Sequence, residues 1–210
     1  MPDFFLDKFE VTNSQFQQFV SAGGYRDQKY WRHPFVRNGQ AVPVDEALAS
    51  FRDATGRPGP ASWELGTFAK NTAEHPVSGV SWFEATACCE YAGKSLPTLH
   101  HWWRAAGVGI FSEILLFSNF GSGGTAPVGS FAGIGPFGTF DMAGNVKEWS
   151  SNATGDRRAL LGGGWNEHNY RFMDRDAQDP FLRSATSGVR CAISFARPAR
   201  SLRTTPAGNA

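Results

Sequence analysis

Three cysteines, five histidines and two short polar stretches are the residues of this chain best suited to chemistry. Cys88 and Cys89 are neighbours, which makes a disulfide between them geometrically awkward, and Cys191 stands alone. No CxxC spacing offers a cysteine zinc site. An odd count with a vicinal pair predicts reduced thiols and a reducing compartment. With no base or cation close by in sequence, Cys88 and Cys89 read as small residues packed on a helix face; a redox thiol is the alternative. The histidines are His33, His75, His100, His101 and His168. On a helix His100 and His101 point about 100° apart and cannot chelate together, so all five read as surface or packing residues. The run Trp165 to Arg171 mixes aromatic and polar side chains after a strand-like segment, a composition suited to recognition. Its continuation through Asp174, Arg175, Asp176 and Asp179 reads equally well as a solvated loop with ion pairs.

These residues hang on a small set of elements. Phe4 to Val11 alternates as a strand, and Thr12 with Gln15 forms a capping box that opens a helix ending at Gly23-Gly24. Tyr25 to Pro76 is loop-like apart from helical periodicity over Val44 to Ala54. Ser81 with Glu84 makes a second capping box, for a helix that carries the cysteine pair and stops at Gly93. A third helix spans Leu99 to Ala106 and closes at Gly107. Loops with short strands are expected from Gly107 to Phe140, and core strands over Ala159 to Trp165 and Gly188 to Phe195.

The bulk numbers narrow the class. With 210 residues the chain supports one sizeable core, and 24 Gly, 18 Phe and 7 Trp suit a turn-rich fold filled by large rings rather than a helix bundle. A net charge of +1 creates no broad field for nucleic acid or anionic lipid. No apolar run reaches membrane-spanning length, and Met1-Pro2-Asp3-Phe4 has no signal-peptide character, so cytoplasm is the expected location. The chain opens almost directly on a strand, as a fragment of a longer protein would. Residues 196–210 carry Arg197, Arg200 and Arg203 without an acid and read as a disordered basic tail beyond a domain of residues 1–195.

Five ordered blocks carry a resemblance. They are Phe4 to Asn13, His75 to Thr98 (HPVSGVSWFEA running through AGKSLPT), Gly138 to Trp149 (GTFDMAGNVKEW), Leu161 to Trp165 (LGGGW) and Gly188 to Ala192 (GVRCA). Together they resemble the formylglycine-generating enzyme (sulfatase-modifying factor) family. The stretches Gly56 to Gly66 and Ser95 to Ala106 are most like the copies attached to bacterial serine/threonine protein kinases, although no kinase motif is present here. The resemblance implies an α+β, C-type-lectin-like fold, loop-rich and low in regular secondary structure.

The resemblance also assigns roles. The family's oxidase binds copper through two cysteines just after a Gly-Gly-Ser block, because soft thiolates suit Cu(I). The matching positions here are Glu167 and Phe172, neither a thiolate; Gly164 replaces the usual serine, and Lys147 stands where many members have tryptophan. Copper-dependent formylglycine generation is therefore not expected. Cys191 matches a final-strand cysteine that reads as core packing. Trp165, Glu167, His168 and Arg171 fall in the family's substrate groove, and imply a peptide- or ligand-binding module, with a kinase as a neighbouring partner. An oxidoreductase of the formylglycine-generating or non-haem-iron type, built on a different ligand set, is the alternative. In the family the turn from Asp141 to Glu148 holds calcium, here through Asp141, the carbonyls of Gly144 and Val146, and Glu148, oxygen donors that calcium favours. Taken alone, Asp141 and Glu148 read equally as braces of a turn. A second family calcium site would begin at Asn119, but the loop that should complete it is shortened to Gly121-Ser122-Gly123-Gly124, so calcium is not expected there.

Overall fold

The computed structural model describes residues 3–107 and 111–195. In chain order they form β1 (Phe4–Leu6), α1 (Asn13–Ser21), β2 (Val36–Arg37), β3 (Gln40–Ala41), α2 (Val44–Ser50), α3 (Trp82–Tyr91), α4 (Leu99–Ala106) and α5 (Phe111–Leu116). The second half adds β4 (Lys147–Thr154), β5 (Arg157–Leu161), β6 (Asp176–Gln178), β7 (Ser187–Gly188) and β8 (Ala192–Ser194). β4 is the centre of a four-stranded sheet ordered β6-β5-β4-β7, in which only the β4–β7 pair is parallel. β1 pairs antiparallel with β8, and β2 with β3. Helices and mostly antiparallel strands joined by long packed loops make this an α+β fold.

The helix starts follow from side-chain chemistry. Thr12, Ser81 and Thr98 each accept a hydrogen bond from the N–H three residues on, and Gln15, Glu84 and His101 each accept from the cap N–H in return. Two orphan donors are satisfied at each end, so the chain turns helical where the capping pairs sit. Gly107 closes α4 in the left-handed conformation, with φ 69°. The His101 ring also stacks on Phe4, 4.2 Å between centroids, which explains why this histidine is buried.

Indoles hold the interior. Trp63, Trp102 and Trp149 are buried, yet each ring N–H has a partner: Asn13 Oδ1 (2.8 Å), Glu148 Oε2 (2.7 Å) and the Val80 carbonyl (2.9 Å). The rings supply apolar area while the polar handle pins distant segments together. The long loop before α3 is fixed in the same manner. Glu84 accepts from the Tyr25 hydroxyl (2.6 Å) and from Arg183 (2.9 and 3.0 Å), and Arg183 also donates to the carbonyls of Arg52 and Gly59.

Several expectations are corrected. The helix starting at Val44 stops at Ser50, because Phe51 leaves the helix to enter the core at 1% exposure. The strand expected over Gly188 to Phe195 divides into β7 and β8, since Arg190 between them turns its side chain into a buried ionic cluster. The strand expected over Ala159 to Trp165 ends at Leu161; Gly162 and Gly163 take positive φ and bend the chain away. Cys191 does not stand alone. It forms a disulfide with Cys89, with Cα atoms 5.6 Å apart, while Cys88 remains a buried free thiol. One helical residue separates the two fates: neighbours on α3 point about 100° apart, and only Cys89 faces β8. Cysteine usage thus gives no argument for a reducing compartment. The tail expected over residues 196–210 lies outside the described residues.

Candidate functional site

The turn from Asp141 to Val146 is buried throughout and feeds directly into β4. Its path depends on Gly144, at φ 77°, where a Cβ would lie 2.4 Å from the Asn119 carbonyl oxygen. Asp141 and Asn145 also adopt positive φ, 56° and 57°. Short polar side chains tolerate that region better than branched ones. Asn145 is the hub: its amide donates to Glu10 Oε2 (2.7 Å) and its carbonyl oxygen accepts from the Ala126 N–H (2.9 Å) and Asn119 (3.0 Å).

Successive residues on a strand face opposite sides, so Glu148 and Lys147 reach two different clusters. Glu148, 1% exposed, accepts from Arg190 Nε at 2.9 Å on Oε1 and from the Trp102 indole at 2.7 Å on Oε2. Glu10 and Asp141 join this side. Glu10 accepts from Asn145 and from the Val146 N–H (3.1 Å), and Asp141 accepts from the Gly129 N–H (2.6 Å). Three carboxylates therefore surround one guanidinium. Burial, then the charges of Asp141 and Glu148, hold the Glu10 carboxyl well above its ordinary range; burial chiefly raises Asp141 as well. Burial is the largest influence and opposes the Arg190 charge, but Glu148, Glu10 and Asp141 together outweigh it and hold the guanidinium above its ordinary value.

On the other side Lys147 Nζ pairs with Glu167 Oε1 at 2.6 Å and with Asp176 Oδ2. Its side chain is 8% exposed, and those of Glu167 and Asp176 are 21% and 19%. Glu167 Oε2 accepts from the Gly164 N–H (2.9 Å), so both oxygens of this carboxylate are engaged. A Cβ on Gly164 would lie 2.6 Å from Thr186 Cγ2, leaving no space for the serine of the related blocks. Three departures from the family pattern, at Lys147, Gly164 and Glu167, thus meet in one interlocked arrangement. Phe172, the fourth, is buried and packs on Trp102 with centroids 5.7 Å apart.

The remaining groove candidates lie further out. Trp165 is half-buried and donates its N–H to the Asn145 carbonyl (2.9 Å). His168 is exposed and stacks on Tyr170 at 5.6 Å, and Arg171 pairs with Asp174 at 2.5 Å. The polar loop therefore holds ion pairs at Arg171 and Asp176 and an exposed aromatic stack at its tip. Sequence reasoning missed Lys147 as a cluster centre, and also Glu10, Asn145 and Arg190. One signal was available: a lysine between Val146 and Trp149 on a core-bound segment demands partners, since a buried ammonium must be paired.

Lys147→Met removes the cation and leaves Glu167 and Asp176 facing each other. The expected loss is about 2 kcal/mol in urea denaturation, below the range for a fully enclosed pair because both acids keep some water contact. A loss under about 0.5 kcal/mol would place the three charges apart in solution.

Comparison with known proteins shows the family of the chain. The description of the sulfatase-modifying factor enzyme 1-like domain fits residues 1–195. The chain is 30% identical over 241 residues to inactive C-alpha-formylglycine-generating enzyme 2 of Bos taurus, covering 93% of this chain and 78% of that protein. It is 31% identical over 219 residues to serine/threonine-protein kinase pkn1 of Chlamydia caviae, covering 90% of this chain but only 32% of the kinase. It is 29% identical to the formylglycine-generating enzyme of Thermomonospora curvata, covering 90% and 81%. Among solved structures, PvdO from Pseudomonas aeruginosa shares the fold with a TM-score of 0.64 at 18% identity, covering 91% of this chain and 80% of that one. With the family description spanning nearly its whole length, the chain belongs to the sulfatase-modifying factor enzyme 1-like domain family.

Proposed function

We propose that this domain is a binding module built on the formylglycine-generating scaffold and does not carry out copper-dependent oxidation. The observation that carries this reading is the ion cluster of Lys147, Glu167 and Asp176. A thiolate pair would have to stand at Glu167 and Phe172; one position holds an engaged carboxylate and the other a buried ring. Hard oxygens already bound to an ammonium do not hold Cu(I). The rim of half-buried Trp165 and Arg171 with exposed His168 is the proposed contact for a peptide or small ligand. The mammalian relative named inactive, and the kinase of which this chain spans about a third, support a non-oxidising role within a longer protein. The test is oxygen uptake driven by dithiothreitol, with added copper, and oxidation of a Cys-x-Pro-x-Arg peptide. Neither is expected. Turnover with stoichiometric copper or iron would instead establish an oxidoreductase with another ligand set.

A calcium ion at the turn before β4 is a second part of the reading, and the acid excess around Arg190 supports it. Both Glu10 oxygens accept from N–H donors, an environment suited to an ionised carboxylate, while burial and the neighbouring acids oppose that charge. A divalent cation held by Asp141 and the carbonyls of Gly144 and Val146 relieves the conflict; Glu148, engaged by Arg190 and Trp102, adds its charge. Without the ion, carboxyl groups raised in the folded state stabilise it below their unfolded values near about pH 4, and that contribution is lost as pH rises through the folded ones. Thermal melts in EGTA should therefore fall between pH 5 and pH 8, and calcium should restore more at pH 8. A calcium effect that is absent, or equal at both pH values, would rule the site out.

A further inference from the structure

A recess lies between the end of α1 and the loop that follows α2. Its volume is about 310 Å³, and it shares no lining residue with the Trp165 to Arg171 rim or with the ion clusters around β4. Val20, Tyr25 and Pro58 give it an apolar wall, and Arg26 and Arg57 bring two cations to it. Among the described residues no acid lines it, and neither arginine forms an ion pair. The acid nearest in sequence to Arg57 is taken up by the loop itself. Asp53 Oδ1 accepts from the N–H groups of Thr55 (2.8 Å) and Arg57 (2.9 Å), and Oδ2 from the Gly66 N–H (2.7 Å).

One of the two cations is oriented in advance. Glu64 and Thr67 exchange both backbone hydrogen bonds (3.0 Å each), and the two residues between them, Leu65 and Gly66, have φ of 54° and 79°. A turn with positive φ at both centres favours Asn or Gly at the first; a leucine is strained there. Leu65 is 63% exposed, so burial does not offset that strain. Its carbonyl accepts from Arg57 Nη1 at 2.7 Å, and the Arg57 stem runs over Gly66, where a Cβ would stand 3.4 Å from Cδ. Backbone strain held at a residue that aims a charged group points to a ligand. Two unmatched guanidiniums match a dianion, and their forks suit phosphate oxygens. We propose that this recess binds the phosphate group of a phosphomonoester, with the organic part of the ligand against Val20 and Pro58. The volume accommodates a small molecule of that kind.

The test is titration with phenyl phosphate at low salt, followed by calorimetry and by amide chemical shifts. The Gly23 and Gly66 amides, both in the lining, are expected to move. Inorganic phosphate lacks the apolar body and benzenesulfonate carries a single charge, so each should bind about tenfold more weakly. Arg26→Gln and Arg57→Gln should each weaken phenyl phosphate about tenfold. Both side chains are exposed, so the melting temperature should not change. Arg57→Lys should lose nearly as much as Arg57→Gln, because a point charge does not replace the fork. A pentapeptide centred on phosphotyrosine decides the source of the phosphate. Affinity equal to that of phenyl phosphate assigns a free small molecule, and affinity about tenfold higher assigns a phosphorylated chain. The proposal is overturned if phenyl phosphate at about 10 mM leaves the Gly23 and Gly66 amides unmoved. It is overturned as well if either glutamine variant binds like the parent, or if benzenesulfonate binds as tightly as phenyl phosphate.

Discussion

Arg190→Met should destabilise the domain by about 3–5 kcal/mol, the range for removing one partner of an enclosed ion pair. Arg190 is wholly buried, and its fork reaches three separate segments. Nε donates to Glu148 Oε1 (2.9 Å), Nη1 to the Asp7 carbonyl (3.0 Å) and Nη2 to the Phe140 carbonyl (2.7 Å), while Nη2 also lies 2.7 Å from Glu148 Oε1 as an ion pair. Methionine fills much of the volume but returns none of these bonds. It also strips Glu10 and Asp141 of the charge that offsets theirs, so these two carboxyls take up protons at higher pH than before. Since a raised folded pKa stabilises only below it, the loss should be larger at pH 8 than at pH 5. Urea denaturation at both values checks this. A loss under about 1 kcal/mol, or one independent of pH, would show that Arg190 is not the hub of this cluster. Arg190→Lys keeps the charge without the fork and should fall between, because a point donor cannot serve three acceptors arranged for a planar group.

The parts of this fold legible in the sequence are those set by local chemistry. The capping pairs at Thr12 and Ser81 announce α1 and α3 where they start, because a cap is a contact between residues three apart, and the periodicity over Leu99 to Ala106 with Gly107 behind it announces α4. No local signal marks β4. Its sequence, KEWSSNAT, has no strong alternation, and it is a strand because β5 and β7 pair with it from far along the chain. The candidate site divides in the same way. Glu167 and Phe172 stand out as departures from a pattern, yet nothing local says that Glu167 meets Lys147, which lies in another block, or that Asp176 completes the cluster. Glu10 and Asn145, 135 residues apart, are brought together only by the fold. The disulfide shows the sharper limit. Counting cysteines predicts free thiols, because adjacency argues against a bond between Cys88 and Cys89 and says nothing of a bond from one of them to Cys191.

That bond carries the second large expected effect. Cys191→Ala should cost about 4 kcal/mol, since the cross-link joins positions 102 residues apart and limits the unfolded chain accordingly. Cys89 and Cys191 are both buried in the main core, so their removal is felt in packing as well. Cys88 does not substitute for its neighbour. Burial pushes its thiol up to about 12, leaving almost no thiolate to attack the bond while the protein is folded. The decisive comparison is unfolding in urea with and without dithiothreitol. The parent protein should lose stability in the reductant and the Cys191→Ala variant should not, the two converging to within about 1 kcal/mol. If the parent is indifferent to dithiothreitol and matches the variant, the bond contributes nothing in solution. α3 and β8 would then rest on packing and on the Ser95–Ala192 backbone bridge beside them.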